Sequence, residues 1–472
     1  MTCPDPVLPA VPTAGLPDAL CQALSALLGE RFSTSAAVRE HHGRDESRGA
    51  PRLPDAVAFV RSAGEVSRVL ALCHPYRIPI IPFGNGSSIE GQVLAVHGGL
   101  SLDFSQMDQV VALHAEDFTI AVQPGISRRT LNDYLRDTGL FFPIDPGADA
   151  SIGGMCATSA SGTNAVRYGT MRENVLALTV VLADGQVIRT GTRAKKSSAG
   201  YDLTHVFVGS EGTLGVITEA TLRLHPRQEA EMAATCSFAR IADAVATVTQ
   251  IIQCGMPVSR VEFIDALAVH AINRHSHLQM PERPTLFFEF TGSTAAVHEQ
   301  VALAGELVAA NGGSGFAWAE HEEDRRRLWH ARHQAYFAAL QLKPGCRAVT
   351  TDVCVPISRL AECVEATIAD LAGASLPAPI VGHVGDGNFH VILLVDPDRP
   401  EELEEAEAIS RRVVGRAIAM EGTCTGEHGI GLHKMDFLFE EIGAGSVEAM
   451  RAIKRALDPA GVMNPGKIFA AG

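Results

Sequence analysis

Two histidines flank a tight turn in GHVGDGNFH, and no other segment carries a stronger chemical signal. Asp386-Gly387 is a favoured two-residue hairpin turn. In that register Gly385 pairs with Asn388, Val384 with Phe389 and His383 with His390. Both imidazoles then stand on one face with Cβ atoms roughly 5 Å apart. That is chelating geometry for a divalent metal. A lone strand histidine is ordinarily structural, whereas two across a turn favour a ligand pair, which wants a carboxylate to complete it. Glu427, in the glycine-rich GTCTGEHGIG, is the candidate, and His428 beside it has the side chain that best takes a proton near neutral pH. The same two residues also read as a solvated acidic loop.

Three glycine clusters form a second signal, at residues 84–91, 147–162 and 209–215. Each alone is a turn; three beside strand ends or helix starts imply a cofactor with phosphates. Glycines let backbone N–H groups approach a pyrophosphate, and a helix opening after Ser151 adds partial positive charge. Gly84-x-Gly86 lacks the third glycine of a nicotinamide-dinucleotide fingerprint. Residues 461–467 spell G-x-x-x-x-G-K but run into Ile468 with no helix to follow, so a P-loop is excluded. No G-x-S-x-G hydrolase elbow occurs.

These segments need elements to hold them. The chain has 472 residues, 46% hydrophobic and 20% charged, enough for two or three packed units and incompatible with disorder. Its formal charge of −15 argues against nucleic acid as a partner. Ten cysteines without a C-x-x-C pair argue against zinc ribbons and disulfide scaffolds and for a reducing compartment. No signal peptide is read in MTCPDPVLPAVPTAGLPDAL and no membrane span anywhere, so a cytoplasmic protein, at most peripheral to a membrane, is expected. A helical segment is expected over residues 1–50. Short strands with the helices 65–74 and 127–137 follow, and a hairpin turns at Asp184-Gly185. Beyond residue 226 the pattern shifts to helices at 240–253, 294–310, 320–340, 358–371 and 401–421. They alternate with strands at TLFFEF, AVTTDVCVP, APIVGHV and FHVILLV, an α+β unit on an antiparallel sheet. The tail is read as a helix and then an extended segment.

The motifs PFGNGSSIEG, PGADASIGGMCATSASG and GSEGTLGVIT resemble the flavin-binding domain of the vanillyl-alcohol oxidase/p-cresol methylhydroxylase (PCMH) superfamily. LWHARH, TTDVCVPISRL, GHVGDGNFH, GTCTGEHGIG and LDPAGVMNPGK resemble the C-terminal domain of its FAD-linked oxidases. The likeness covers nearly all of residues 50–472, and is greatest to members that oxidise D-lactate with an acceptor other than NAD. It implies an α+β fold in which a two-subdomain PCMH-type FAD-binding domain (51–226) precedes a substrate- and metal-binding cap domain (227–440). A C-terminal segment (441–472) would return to the FAD domain.

It further implies non-covalent FAD, since no histidine stands in the first glycine loop. The cofactor would be held by Pro82, Gly84, Asn85, Gly86, Ser87 and Ser88, then by Pro146, Gly147, Ser151, Gly153, Gly154 and Gly162. Glu211, Gly212, Ile217 and Asn464 would complete its site. His383, His390 and Glu427 would bind a divalent metal (Zn, Mn or Fe), with His428 the base and Arg332 the clamp on the substrate carboxylate. Related 2-hydroxyglutarate dehydrogenases carry a Lys and an Asn where this chain has Thr350 and Ile392, which favours a small monocarboxylate such as D-lactate. Glycolate and longer D-2-hydroxy acids are the alternatives within the family, and a non-catalytic flavin- or metal-binding subunit is the alternative outside it. The electron acceptor is left as a cytochrome, a quinone or an electron-transfer flavoprotein.

Overall fold

The computed structural model describes residues 15–469; the rest, including most of the segment read for a signal peptide, lies outside the described residues. The chain divides into two units. Unit one comprises residues up to 161, 170–226 and 427 onward; unit two comprises 162–169 and 227–426.

In unit one, Ala56–Phe59, Leu100–Asp103 and Ile80–Phe83 pair in parallel, with Phe32–Ser33 antiparallel at the edge. The parallel strands are short apolar runs with few exposed positions, as strands covered on both faces must be. The helix Ala63–Cys73 starts where Ser62 accepts the Glu65 N–H, and buries Val66, Val69, Leu70 and Cys73 in the core of this layer. A five-stranded antiparallel sheet follows. Its hairpin turns through Asp184 and Gly185 with Val181 opposite Val187, and Gly185 takes the positive φ of 91° that the turn requires. The tail returns to the parallel layer: Ile80 N–H donates to Val462 O at 2.8 Å and Asn464 N–H to Ile80 O at 2.9 Å.

Unit two is built on one eight-stranded antiparallel sheet. Thr285–Gly292 and Asn388–Val395 are buried at almost every position, so helices cover both faces. Two elements expected as continuous are broken. The helix expected over 320–340 divides at Gln334 into Glu322–His333 and Ala335–Leu340. The strand expected over 348–356 divides into Arg347–Thr350 and Val353–Cys354, and the gap at Thr351 and Asp352 becomes part of the site.

Candidate active site

The hairpin register differs from the one expected. His383 pairs with Asn388 and Val381 with His390, leaving residues 384–387 as a four-residue loop. The cause is the next strand: Val355 N–H donates to Gly387 O at 3.1 Å, and Asp386 N–H folds back to His383 O at 3.2 Å. The loop is thus pinned from outside and does not close as a two-residue turn. A two-position offset keeps both side chains on one face, and the rings meet edge to face with centroids 5.5 Å apart.

Their tautomers are set by neighbours. His390 Nδ1–H donates to Thr351 O at 3.0 Å, a carbonyl that the strand break turns toward it. His383 Nδ1–H donates to Glu262 Oε1 at 2.7 Å. Both arrangements make Nε2 the ligand atom, the usual support for a metal-binding histidine. The donor chemistry therefore fits a divalent cation. Asp352 is fully buried with Oδ1 3.7 Å from His390 Nδ1. It accepts from Asn388 Nδ2 at 2.9 Å and Thr425 Oγ1 at 2.8 Å, while its backbone carbonyl accepts from Gly426 N–H. Glu427 is the next residue along the chain from Gly426.

Glu262 lies on Val258–Ile264, whose register with Ile380–His383 runs Ile264↔Val381 and Phe263↔Gly382 and so brings Glu262 opposite His383. Its second oxygen accepts from Arg332 Nη2 at 2.5 Å. Burial alone would push the Glu262 carboxyl up, but His383 and Arg332 together hold it below the ordinary carboxylate range. Arg332 is 7% exposed, and its Nε is a buried donor with no hydrogen-bond partner. Thr350 and Ile392, singled out by sequence, are direct cross-strand partners on the same face as His390. Neither Glu262 nor Asp352 is among the site residues expected from the sequence. A carboxylate inside the apolar strand VSRVEFI was the available signal for the first.

Unit one holds the glycine segments. A Cβ on Gly84 would lie 2.2 Å from Ser151 Oγ, and one on Gly153 2.6 Å from Pro124 Cβ. Ser151 Oγ accepts the Gly154 N–H at 3.3 Å at the start of the helix Ile152–Thr158, and Asn85 Nδ2 donates to Asp149 O at 2.7 Å. The first two glycine loops are thus fastened together; the N–H groups of Ile152, Gly153 and Gly154 are already taken by Ile126 O, Pro124 O and Ser151 Oγ, so a pyrophosphate would depend on the backbone of residues 84–88. Gly86 and Gly212 take positive φ, Ser87 is half-buried, and Ser88 Oγ donates to Asp45 at 3.0 Å. Pro146 is half-buried, Gly147 exposed and Ile217 buried, whereas Gly162 belongs to unit two. Gly84→Ala is expected to lower the FAD content of purified protein several-fold, measured by the ratio of flavin to protein absorbance.

Glu211 and Asn464 are engaged by the chain itself. The Glu211 carboxylate accepts Ile430 N–H at 2.6 Å and Gly431 N–H at 2.8 Å, and Asn464 Nδ2 donates to Gln92 O and Glu211 O. Burial pushes the Glu211 carboxyl up to about 7 despite those two donors. A raised native value makes its stabilisation complete below the ordinary 4.5 and lost as pH rises through about 7. The decline expected over that window is about 3 kcal/mol at most, and Glu211→Gln should flatten that part of a urea-midpoint-versus-pH curve. Lys467, from the rejected P-loop pattern, donates to Leu94 O at 2.6 Å and is structural.

His428 follows Glu427, and both are largely shielded, so the solvated-loop reading does not hold. The His428 carbonyl accepts from Gln92 Nε2 at 2.8 Å. Its Nδ1 lies 3.9 Å from Glu90 Oε1, itself paired with Lys434 at 3.0 Å, and its Nε2 lies 3.8 Å from Glu427 Oε1.

A unit with a parallel layer and an antiparallel sheet, joined to an α+β unit, is the architecture expected of an FAD-linked oxidase, and the chain belongs to that family. Residues 227–468 match the family described as FAD linked oxidases, C-terminal domain, and residues 54–191 match an FAD binding domain. Among its relatives, a probable mitochondrial D-lactate dehydrogenase of Danio rerio is 55% identical over 93% of this chain and 89% of its own length. A mitochondrial D-lactate dehydrogenase [cytochrome] of Arabidopsis thaliana is 45% identical over 96% of this chain and 80% of its own. The solved 4-ethylphenol oxidase of Gulosibacter chungangensis shares the fold with a TM-score of 0.77 at 18% identity, covering 98% of this chain and 99% of that one. The expectation of a cytoplasmic protein is corrected by these relatives, which are named mitochondrial. No helix among the described residues is long and apolar enough to cross a membrane.

Proposed function

We propose that this chain oxidises D-lactate, or a similarly small D-2-hydroxy acid, to the 2-oxo acid and passes the electrons to a cytochrome-type acceptor. One observation supports the reading above others: Arg332 is a buried cation held on one side by Glu262 while its Nε lacks an acceptor. A substrate carboxylate is the chemical group that such a donor wants. The names of the two D-lactate dehydrogenases agree with it, one of them qualified by "cytochrome".

The reaction removes a hydride from C2 and a proton from the hydroxyl. When bound, FAD supplies the hydride acceptor, and a divalent ion (Zn, Mn or Fe) supplies a Lewis acid that lowers the hydroxyl pKa. His383, His390 and Glu427 would hold that ion, while Asp352 stands on the Nδ1 side of His390. Arg332 binds the carboxylate and so fixes which face of C2 is presented. His428 takes the hydroxyl proton. Thr350 and Ile392 offer no cation or amide for a distal carboxylate, so short acids are preferred. FAD is held without a covalent link, residues 84–88 containing no histidine.

Anaerobic titration tests the reading: D-lactate should bleach the flavin band and L-lactate should not. Glycolate or a longer acid bleaching more readily would reassign the substrate within the family, and no bleaching by any acid would leave a flavin-binding subunit. Exhaustive chelation should abolish the D-lactate response and a divalent ion restore it; full activity after chelation would remove the metal from the scheme.

A further inference from the structure

We propose that Glu262 is a positioning residue that joins the substrate anchor to the metal site, holding Arg332 with one carboxylate oxygen and His383 with the other. The inference rests on the functional reading above and extends it to a residue that touches neither substrate nor metal.

Glu262 has 0% side-chain exposure, and its two oxygens are divided between two functions: Oε2 takes Arg332 Nη2 and Oε1 takes His383 Nδ1–H. The strand ladder delivers it, because the register of Val258–Ile264 against Ile380–His383 brings residue 262 opposite residue 383. The helix Glu322–His333 delivers Arg332 from the other side. Stability is a poor account of such a group, since a buried ion pair seldom outperforms apolar packing of the same volume. Geometry is a better one. Only an acceptor at both ends can keep the His383 proton on Nδ1, leaving Nε2 to ligate, and at the same time hold one edge of the guanidinium. The anchor and the ligand then move as one rigid piece, so the carboxylate and the hydroxyl of a three-carbon acid are received at a fixed spacing.

Glu262→Gln preserves the volume and removes this property. An amide has one acceptor and one donor end: if its oxygen keeps Arg332, its NH2 faces His383 Nδ1 and drives the ring proton to Nε2. If it turns the other way, the NH2 meets the guanidinium. The expected results in the FAD-loaded protein are a 10- to 100-fold weaker affinity for Mn²⁺ or Zn²⁺, the range seen when an outer partner of a ligating histidine is lost. That affinity is read by competition with a chromophoric chelator. KM for D-lactate should rise about tenfold or more while kcat at saturating metal and acid stays within about threefold. Glu262→Asp, which keeps both acceptors on a shorter arm, should recover part of the metal affinity. Ion affinity and KM both within twofold of the unsubstituted protein in Glu262→Gln would overturn the proposal. So would failure of both variants to fold, since the carboxylate would then be structural. The unsubstituted protein is run alongside: if D-lactate does not bleach its flavin, the functional reading fails, whereas normal bleaching with an indifferent Glu262→Gln refutes the coupling alone.

Discussion

Replacing His428 with alanine should slow flavin bleaching by D-lactate by about 10²–10⁴-fold, the range that a positioned general base supplies, with FAD still bound at the original stoichiometry. The two effects separate because the backbone of His428 is fixed independently of its ring, through the bond from Gln92 Nε2 to its carbonyl. The neighbouring attachments of Ile430 and Gly431 to Glu211 are also backbone bonds and survive the substitution. Glu90, itself paired with Lys434, and Glu427 flank the imidazole, so the substitution removes a proton acceptor and leaves these charges in place. Stopped-flow mixing with D-lactate under anaerobic conditions measures the rate, and the resting flavin spectrum gives occupancy. A rate within threefold of the original would relieve His428 of its role.

Arg332→Ala should carry the second large penalty, in two measurements at once. Truncating one member of a buried, hydrogen-bonded charge pair costs about 3–5 kcal/mol of stability, because Glu262 would keep its charge with only His383 opposite it. The same change deletes the carboxylate anchor, which should lower kcat/KM for D-lactate by about 10²-fold or more, the scale of a lost charge-assisted pair. Urea unfolding reports the first effect and steady-state kinetics on the folded fraction the second. An unfolding penalty with unaltered kinetics would make Arg332 a structural partner of Glu262 and nothing more. Unaltered stability would contradict the buried pair itself.

The glycine loops, the capping residue Ser151, the Asp184-Gly185 hairpin and the helix 294–310 were legible in the sequence because each is decided by neighbours within a few positions. A serine before a helix accepts an N–H three residues on, and a glycine permits a positive φ whatever lies elsewhere. The two breaks in expected elements were not legible. Nothing local separates Thr350 from Val353, or residue 333 from 335. The strand break at Thr351 and Asp352 is held by Val391 and Asn388 across the ladder and by Thr425 and Gly426 from a distant loop. The hairpin register differs for the same reason: Asp386-Gly387 has the composition of a two-residue turn, but Val355 grips Gly387 from outside and the ladder is shifted by two residues, His383 pairing with Asn388.

By itself the sequence determined the kinds of chemistry available: an imidazole pair on one face, a carboxylate–imidazole dipeptide in a glycine-rich loop, bare backbone for a phosphate, and a family. The tertiary structure alone decided which groups support which. Glu262 and His383 stand 121 positions apart, and Glu262 and Arg332 stand 70 apart. Their meeting depends on which strand neighbours which in an eight-stranded sheet, a long-range pairing that no local preference encodes. Short-range sterics and hydrogen bonding write turns and caps into the sequence; the shared carboxylate arises only when distant strands are brought into register.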